Sequence, residues 1–237
     1  MKRVINAILL LSIGAGLWAC SSVSTISMQT QRVAVDERFS LNSSLDSLIQ
    51  PYKDSMQREM GEIIAHASVD FISARPNSNL GNWFTDAIFT NQTRTVRMSE
   101  PIFCLFNTGG IRSTLNKGAI TLGDLFKLMP FENEIVWVRM PAESLSEIEE
   151  YIQKSGGEPI SNAKMIQGKL ELSGWTENTT HFWVITSDYL MNGGDKMSFF
   201  EKRTSVNLTG KLLRDALIQE AKVQVELRED TTERISF

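Results

Sequence analysis

The chain has 237 residues and a formal net charge of −4, and 42% of its residues are hydrophobic and 22% charged. The apolar fraction is sufficient for a globular domain with a real core, and the mild negative charge argues against a nucleic-acid surface, which requires clustered cations. Two cysteines cannot build a disulfide scaffold, and two histidines, His66 and His181, leave few ligands for a zinc or two-metal site.

The first twenty residues have the pattern of an export signal. Lys2 and Arg3 precede a mostly apolar run at 4–19 that is too short for a membrane span, and Cys20 follows this run. The pattern resembles a bacterial lipoprotein signal, which predicts cleavage before Cys20, lipidation of this cysteine and an anchor in the outer membrane, on its periplasmic or its surface side. An ordinary secretory signal with a chance cysteine is the alternative.

The remaining chain divides into a tether and one domain. After the expected signal peptide at 1–19, residues 20–40 are rich in Ser, Thr and Gln, which predicts a flexible tether. No second linker and no internal repeat follows, so we expect a single domain over 41–237. Cys104 lies in an apolar run, and its position favours a buried strand residue over a nucleophile.

In the first half of the domain, apolar residues at helical spacing alternate with short β-branched or aromatic runs. Pro51 predicts a break or restart in the first helix, Asn79 is the expected cap of the second, and Thr121 with Asp124 resembles a capping box that opens the third. In chain order the expected elements are a helix over 45–60, a strand over 63–69, a helix over 80–88, a strand over 102–106, a helix over 122–129 and a strand over 135–140.

The second half continues this mixed order. Ser144 and Glu147 are expected to open a helix that ends at Gly156 and Gly157. The later expected elements are strands over 169–173 and 182–186, a helix over 212–217 and a final strand over 234–237. Because helices and strands interleave irregularly, the sequence favours an α+β domain over a doubly wound sheet.

Three loop segments carry the residues of greatest functional interest. They are Asn107-Thr-Gly-Gly-Ile-Arg112, Pro130-Phe-Glu-Asn133, and Tyr189 followed by Gly193-Gly-Asp195. Paired glycines let the backbone turn and approach a ligand closely, and an arginine offers a planar fork to a carboxylate or phosphate. Each segment alone also has an ordinary interpretation, as a common turn, a core phenylalanine or a capping aspartate.

Taken together, the segments resemble the C-terminal domain of the 5′-nucleotidase and 2′,3′-cyclic-nucleotide phosphodiesterase family. The family pattern is a strand and Asn-x-Gly-Gly-Ile-Arg, then Gly-x-Ile-Thr, Pro-Phe-x-Asn, and an aromatic residue followed by Gly-Gly-Asp. The chain also has Gly118-Ala-Ile-Thr121 at the second place, and Asn79-Leu-Gly-Asn82 resembles the start of the family's helix. The resemblance extends over roughly 45–200, with the motifs in the family's order.

The resemblance implies a single mixed-sheet α+β domain that binds a nucleotide or nucleoside, with Phe131 and Tyr189 stacked on the two faces of the base. It further implies that Asn133 bonds the base edge, that Asp195 accepts from ribose hydroxyls and that Arg112 binds a phosphate. The other expected site residues are Asn107, which supports the turn, Gly109, Gly110, Gly193, Gly194 and Arg75.

Two departures from the family pattern affect this expectation. Glu132 stands where the family commonly has glycine, which adds bulk and charge beside the proposed stacking ring. The family also offers arginines upstream of the Asn79 helix, and here Arg75 lies near that place with a one-residue offset. A weaker phosphate site would favour nucleosides.

In the family, two metal ions in a separate N-terminal metallophosphatase domain perform the hydrolysis. No motif of that domain is present, and His66 and His181 are expected to be structural, so we expect no catalytic residue, metal or cofactor in this chain. The resulting hypothesis is the nucleotide-binding half of an exported 5′-nucleotidase, completed by a separately encoded metallophosphatase chain that holds two divalent metals. A nucleoside sensor or scavenger, and a structural protein that retains only the fold, are the alternatives. The membrane is expected to be contacted only through lipid.

Overall fold

The computed structural model describes residues 28, 30, 32 and 43–237. The fold below is that of the compact unit formed by residues 47–237, together with the first residues of the first helix. Among the described helices, none is both long and apolar enough to cross a membrane. The expected signal peptide, Cys20 and most of the expected tether lie outside the described residues.

The described residues form six α-helices and nine strands, with short 3₁₀ turns between them. The helices are α1 (Ser43–Met60), α2 (Asn79–Thr93), α3 (Leu122–Leu128), α4 (Leu145–Ser155), α5 (Asp188–Met191) and α6 (Leu213–Gln224). The strands are β1 (Ile63–Ala67), β2 (Ile102–Leu105), β3 (Gly118–Thr121), β4 (Glu134–Pro141), β5 (Ile160–Ser161), β6 (Ala163–Ile166), β7 (Lys169–Leu172), β8 (His181–Ser187) and β9 (Ser205–Leu212).

A five-stranded mixed sheet forms the centre of the domain, in the order β5-β2-β8-β4-β9. Strands β2 and β8 are parallel, and every other neighbouring pair is antiparallel. Phe103, Cys104 and Leu105 are consecutive and all fully buried. Because successive side chains of a strand point to opposite faces, both faces of the sheet are covered at β2. The architecture is α+β, as the sequence predicts.

Aromatic side chains of α2 hold this helix on the sheet. The helix packs on β2 and β5 and against α6. Phe84 meets Phe106 edge to face with ring centroids 5.4 Å apart, and Trp83 meets Phe71 in the same way at 6.3 Å. All four rings are nearly inaccessible to solvent, so the apolar stripe of α2 is a core surface.

Two smaller sheets flank the centre. Strands β1 and β3 pair antiparallel, and β6 and β7 form a hairpin. The C-terminal segment adds isolated bridges to both, from Glu226 to His66 of β1 and from Ile235 to Met165 of β6. The segment therefore connects the two sides of the domain.

The helix predictions are confirmed in position, with three differences in detail. The first helix runs through Pro51, which removes one backbone hydrogen bond without ending the helix. The cap of α2 is Ser78, whose hydroxyl accepts from Gly81 N, and Asn79 instead bonds the backbone of the preceding loop. Ser144 does not cap α4, because a 3₁₀ turn precedes that helix and the hydroxyl donates to Pro141 O.

The capping box of α3 and the glycine end of α4 are confirmed. The Thr121 hydroxyl accepts from Asp124 N, and the Asp124 carboxylate accepts from Thr121 N. Gly156 ends α4 in the left-handed conformation, with φ of 78°.

The five internal strand predictions are confirmed, with ends that differ by one or two residues. The expected final strand over 234–237 is wrong, since this segment makes only the isolated bridge at Ile235. Four observed strands have no counterpart in the prediction, namely β3, β5, β6 and β9. Three of them have four residues or fewer, and β9 is a largely exposed edge strand without a buried apolar alternation.

Candidate functional site

Three loops meet at one edge of the central sheet because of the strand directions. Strands β2 and β8 are parallel, so the loops that follow Leu105 and Ser187 leave the sheet at the same edge. Strand β4 is antiparallel to β8, with Ile135 opposite Ser187, so the loop that leads into β4 lies there as well. The carboxyl ends of parallel strands are a common place for ligand sites in sheets of this kind.

The three loops enclose a cavity of about 360 Å³. Its volume is within the range of small-molecule sites. The lining residues are Asn107, Gly109, Gly110, Arg112, Phe131, Asn133, Tyr189 and Asp195. The structure therefore brings together eight of the residues that the sequence singles out, although they come from three separate segments between Asn107 and Asp195.

The Gly-Gly turn depends on the side chain of Asn107. A 3₁₀ turn over Thr108–Gly110 follows β2, and the Asn107 amide folds back over Gly110. A Cβ atom at Gly110 would stand 2.6 Å from Asn107 Oδ1, so any other residue there would displace the Asn107 amide. The other end of the amide, Nδ2, donates to Asp195 Oδ2 at 2.6 Å.

The carboxylate of Asp195 is held from two sides. Its Oδ2 accepts from Asn107, and its Oδ1 accepts from the Tyr189 hydroxyl at 3.0 Å. The backbone of Asp195 has a φ of 50°, in the left-handed region that few residues other than glycine, asparagine and aspartate adopt. The Tyr151 hydroxyl donates to the carbonyl oxygen of this residue at 3.1 Å and so supports the unusual conformation.

Tyr151 belongs to α4 and connects this helix to the site. Burial raises the pKa of its hydroxyl to about 12, and the carboxylates of Glu158 and Asp195 act in the same direction. The phenol therefore stays protonated across the physiological range and remains a donor to Asp195.

The two predicted stacking rings are exposed in the cavity wall. Phe131 is 41% exposed and Tyr189 is 47% exposed, which is unusual for large aromatic side chains in a domain with a full core. The ring of Tyr189 lies directly on Gly194, since a Cβ there would come within 2.6 Å of three ring carbons. One face of the tyrosine is thus supported by backbone, and Gly193 reaches this turn with a φ of 88°.

Two further polar side chains, Arg112 and Asn133, line the cavity. Arg112 donates from Nη1 to Gly109 O at 3.0 Å, and its guanidinium lies 5.9 Å from the centroid of Phe131. Asn133 uses its backbone carbonyl to accept from Leu213 N, and within 43–237 no hydrogen bond engages its side-chain amide. The amide is therefore available to a ligand.

Arg75 lies outside the lining of this cavity. Its Nε donates to Gly157 O at 2.8 Å, and its Nη2 bonds Glu158 Oε1 at 2.6 Å. The guanidinium is thus engaged by the segment after α4. Glu132, which departs from the family pattern, is exposed and is also not among the lining residues.

Glu158 is a site neighbour that sequence reasoning missed. Its Oε2 accepts from both the backbone nitrogen and the hydroxyl of Thr108, at 2.7 and 2.9 Å, inside the Gly-Gly turn. The only local signal is an acidic residue after the glycine pair that ends α4, and the contact spans 50 residues.

A larger and more open hollow of about 600 Å³ lies beside the β6–β7 hairpin. Arg234, in its wall, bonds Asp86 through both terminal nitrogens and also bonds Asp230. These ion pairs already use the charge of the arginine, so Arg234 is not free to bind an anionic ligand.

The side chains that could perform metal or thiol chemistry lie apart. In the part of the chain that the structure describes, no group of three or more His, Cys, Asp or Glu side chains could hold a metal ion. The residues present therefore do not fit the two-metal centre of a metallophosphatase. His66 is in β1 and His181 starts β8, while burial raises the pKa of the Cys104 thiol well above its usual value.

Comparison with known proteins agrees with this geometry. Residues 63–168 match the family model described as "5'-nucleotidase, C-terminal domain". This range contains the Asn107 and Phe131 loops, and Tyr189 and Asp195 lie beyond it.

Curated relatives match this chain over segments of 108 to 210 residues. Endonuclease YhcR of Bacillus subtilis is 31% identical over 108 residues, or 44% of this chain and 8% of the relative. A 5′-nucleotidase of Vibrio cholerae is 24% identical over 144 residues, covering 59% of this chain and 24% of the relative. An apyrase of Tabanus yao is 25% identical over 210 residues, covering 73% of this chain and 38% of the relative. The chain thus spans well under half the length of these relatives.

Solved structures share the fold. A 5′-nucleotidase precursor from Thermus thermophilus superposes with a TM-score of 0.63 at 22% identity, covering 81% of this chain and 42% of that chain. The NAD nucleotidase of Haemophilus influenzae superposes with a TM-score of 0.59 at 17% identity, covering 81% and 41%. At these identities the likeness concerns the fold alone.

Proposed function

The chain contains a domain of the 5′-nucleotidase C-terminal family, and from this premise we propose that it binds a nucleoside or nucleotide in the cavity between Phe131 and Tyr189. The observation that carries the proposal is the convergence of two half-exposed aromatic rings and a fixed carboxylate in one cavity. Aromatic stacking stabilises a bound base by about 1–3 kcal/mol per ring.

The groups around the cavity match the parts of such a ligand. The base lies between the two rings, and the side-chain amide of Asn133 bonds its edge. Asp195 accepts from the ribose hydroxyls, which compete for the oxygens now bonded by Asn107 and Tyr189. Arg112 supplies the positive charge for a phosphate.

A calorimetric titration of the purified chain with adenosine and with AMP tests the binding proposal. We expect saturable binding of both ligands, and we expect Arg112→Gln to weaken AMP binding about tenfold while adenosine binding changes less, because only AMP carries the phosphate charge. Absence of binding to either ligand would refute the proposal. Equal losses for both ligands would remove the phosphate role of Arg112.

We further infer that hydrolysis requires a metallophosphatase whose two divalent metals are held by residues outside 43–237. What supports this is the donor set, since the described residues contain no cluster of metal-ligating side chains. The chain would then act as the substrate-binding half of a 5′-nucleotidase in nucleotide catabolism, and the catalytic chain would dock beside the cavity.

Phosphate release from AMP tests the divided enzyme. The rate is measured for the chain alone, for a metallophosphatase chain of the same cell alone, and for the mixture, each with divalent metal. We expect only the mixture to show an increased rate, and we expect Tyr189→Ala to abolish the increase. If the mixture is no faster than the metallophosphatase alone, the divided enzyme is excluded.

A binding protein without catalysis is the second candidate function, and the same lack of metal donors favours it. In that case the chain senses or scavenges nucleosides. Tight adenosine binding combined with no rate increase in the mixture would select this function over the divided enzyme.

We also propose that Cys20 carries lipid and holds the protein at the outer membrane. The support is the sequence pattern at 2–22 alone. Incorporation of labelled palmitate that disappears in Cys20→Ser is the expected result, and incorporation that persists in this variant would contradict the anchor.

A further inference from the structure

Glu158 is a buried carboxylate that bonds Thr108, in the turn whose neighbouring residues line the ligand cavity. It is only 2% exposed, although an ionised side chain is rarely so buried without several partners. Its two oxygens accept from Thr108 N, the Thr108 hydroxyl and the Arg75 guanidinium, at 2.7, 2.9 and 2.6 Å. Glu158 does not line the cavity.

The neighbours of Glu158 fix it in place independently of these bonds. On one side, Gly157 O accepts from Arg75 Nε, so the arginine holds both the backbone and the carboxylate of the segment. On the other side, Pro159 O accepts from Phe106 N, which ties the segment to the end of β2. Glu158 is therefore a rigid acceptor next to the turn that follows β2.

From Glu158 a continuous series of contacts leads to the carboxylate of Asp195, the group proposed to bind the ribose. Thr108, which Glu158 holds, directly follows Asn107. Asn107 Nδ2 in turn donates to Asp195 Oδ2 at 2.6 Å. Asp195 has a left-handed backbone, with φ of 50°, so its orientation depends on such side-chain bonds. A rotation of the turn would move Asn107 and release one oxygen of Asp195.

We propose that Glu158 is a positioning residue of the site, which orients Asp195 toward the ribose hydroxyls by fixing the Asn107–Thr108 turn. The inference rests on the proposed function, since it takes a ribonucleoside as the ligand. It assigns to Glu158 an effect on ribose recognition rather than on base stacking, because the side chain of Asn107 bonds the carboxylate of Asp195. The ring of Tyr189 is supported by the backbone of Gly194, and Phe131 belongs to another loop.

The test compares adenosine with 2′,3′-dideoxyadenosine, which has the same base but lacks the hydroxyls that Asp195 binds. In the variant Glu158→Gln the side chain keeps its shape but loses its charge and cannot accept from all three donors. We expect the Kd of adenosine to rise about tenfold, the equivalent of one hydrogen bond to a charged group. The Kd of the dideoxy analogue should change by less than about twofold.

A matched control separates positioning from general destabilisation. Glu149 is also a buried carboxylate, 6% exposed, and it bonds Leu170 N and Lys169 Nζ away from the cavity. Glu149→Gln should lower the melting temperature to a similar degree while both ligands keep their wild-type Kd values. If Glu158→Gln does not fold, Thr108→Val removes only the hydroxyl bond to Glu158, and adenosine should then weaken about threefold.

A double variant tests the route through Asp195. If Glu158 acts through that carboxylate, Glu158→Gln should weaken adenosine no further in a chain that already carries Asp195→Asn. Equal losses for adenosine and the dideoxy analogue, or additive losses in the double variant, would overturn the inference. A wild-type chain that binds neither nucleoside would instead refute the proposed function itself.

Discussion

Phe131 and Tyr189 are the two residues on which ligand binding depends most directly. They are 41% and 47% exposed, whereas rings such as Phe84 and Phe106 are almost completely buried. Truncation of an exposed ring opens no cavity, so the cost to stability should be small. Phe131→Ala and Tyr189→Ala should each weaken adenosine binding by about 1–3 kcal/mol, as measured by calorimetry.

Tyr52→Ala is the matched control for this prediction. Tyr52 is 76% exposed on α1, so its truncation removes a still more exposed ring outside the cavity lining and should leave adenosine binding unchanged. Loss of cooperative unfolding in both site variants would show that the rings are structural and would contradict the stacking role.

The residues of the site could be predicted to different extents. The loop motifs identify Phe131 and Asp195 because glycines, aromatics and acids in fixed order are visible in the sequence. The partners of Arg75 are not visible, since Gly157 and Glu158 lie 82 and 83 residues away and meet it only through the fold. Local patterns do not specify which distant carboxylate neutralises a given arginine.

At the scale of elements, the short helix α3 links strand β3 of the small β1–β3 sheet to the Phe131 loop. Its N-terminus is closed by the capping box of Thr121 and Asp124, and Leu128 O near its end accepts from Arg112 N. Thr121→Ala should lower the free energy of unfolding by about 1 kcal/mol at pH 7, because the bonds of the hydroxyl to the backbone nitrogen and the carboxylate of Asp124 are both lost. Urea denaturation measures the change.

The effect of this cap should depend on pH. Burial opposes ionisation of Asp124, but the bonds from Thr121 and Lys127 outweigh burial and leave its pKa below the usual value. A lowered pKa in the folded state contributes stability that is present above the ordinary pKa and is lost as the pH falls through the folded value. The penalty of Thr121→Ala should therefore shrink in acid. Ser146→Ala, at an exposed helix position, should have almost no effect, and a pH-independent penalty would contradict this account.

The elements that sequence analysis missed have a physical reason in common. Strand β9 pairs with β4 along its length, yet Leu208 remains 64% exposed at the sheet edge. A strand that buries little apolar surface has no strong alternation to read. The sequence predicts the cap of α2 one residue too late, because Ser78 and Asn79 are both good cap residues. In the structure the side chain of Asn79 bonds the preceding loop at Asp70 O, and Ser78 caps the helix.

At the scale of the whole molecule, the C-terminal segment joins parts that are distant in sequence. Arg234 bonds both carboxylate oxygens of Asp86 in α2, the carbonyl of Ile160 in β5, and Asp230 of its own segment. Asn82 holds the segment further through Asp230 O and Thr232 O. The stability of the domain should thus respond to the charge state of these groups.

Asp230 is the group for which this response can be predicted. Burial opposes its ionisation, but bonds from Thr232 and Arg234 outweigh burial and lower its pKa to about 2. An unfolded aspartate titrates near pH 3.9, so the contribution of Asp230 is complete above about pH 4 and is lost as the pH falls toward 2. Asp230→Asn should destabilise the domain at pH 7, and its unfolding midpoint in urea should approach that of the wild type as the pH falls from 4 to 2. Glu233→Gln removes a negative charge from the same segment but leaves the bonds of Arg234 intact, so it should follow the wild-type profile. If the urea midpoint of Asp230→Asn stayed the same distance below that of the wild type at every pH, the ion pair with Arg234 would contribute no pH-dependent stability.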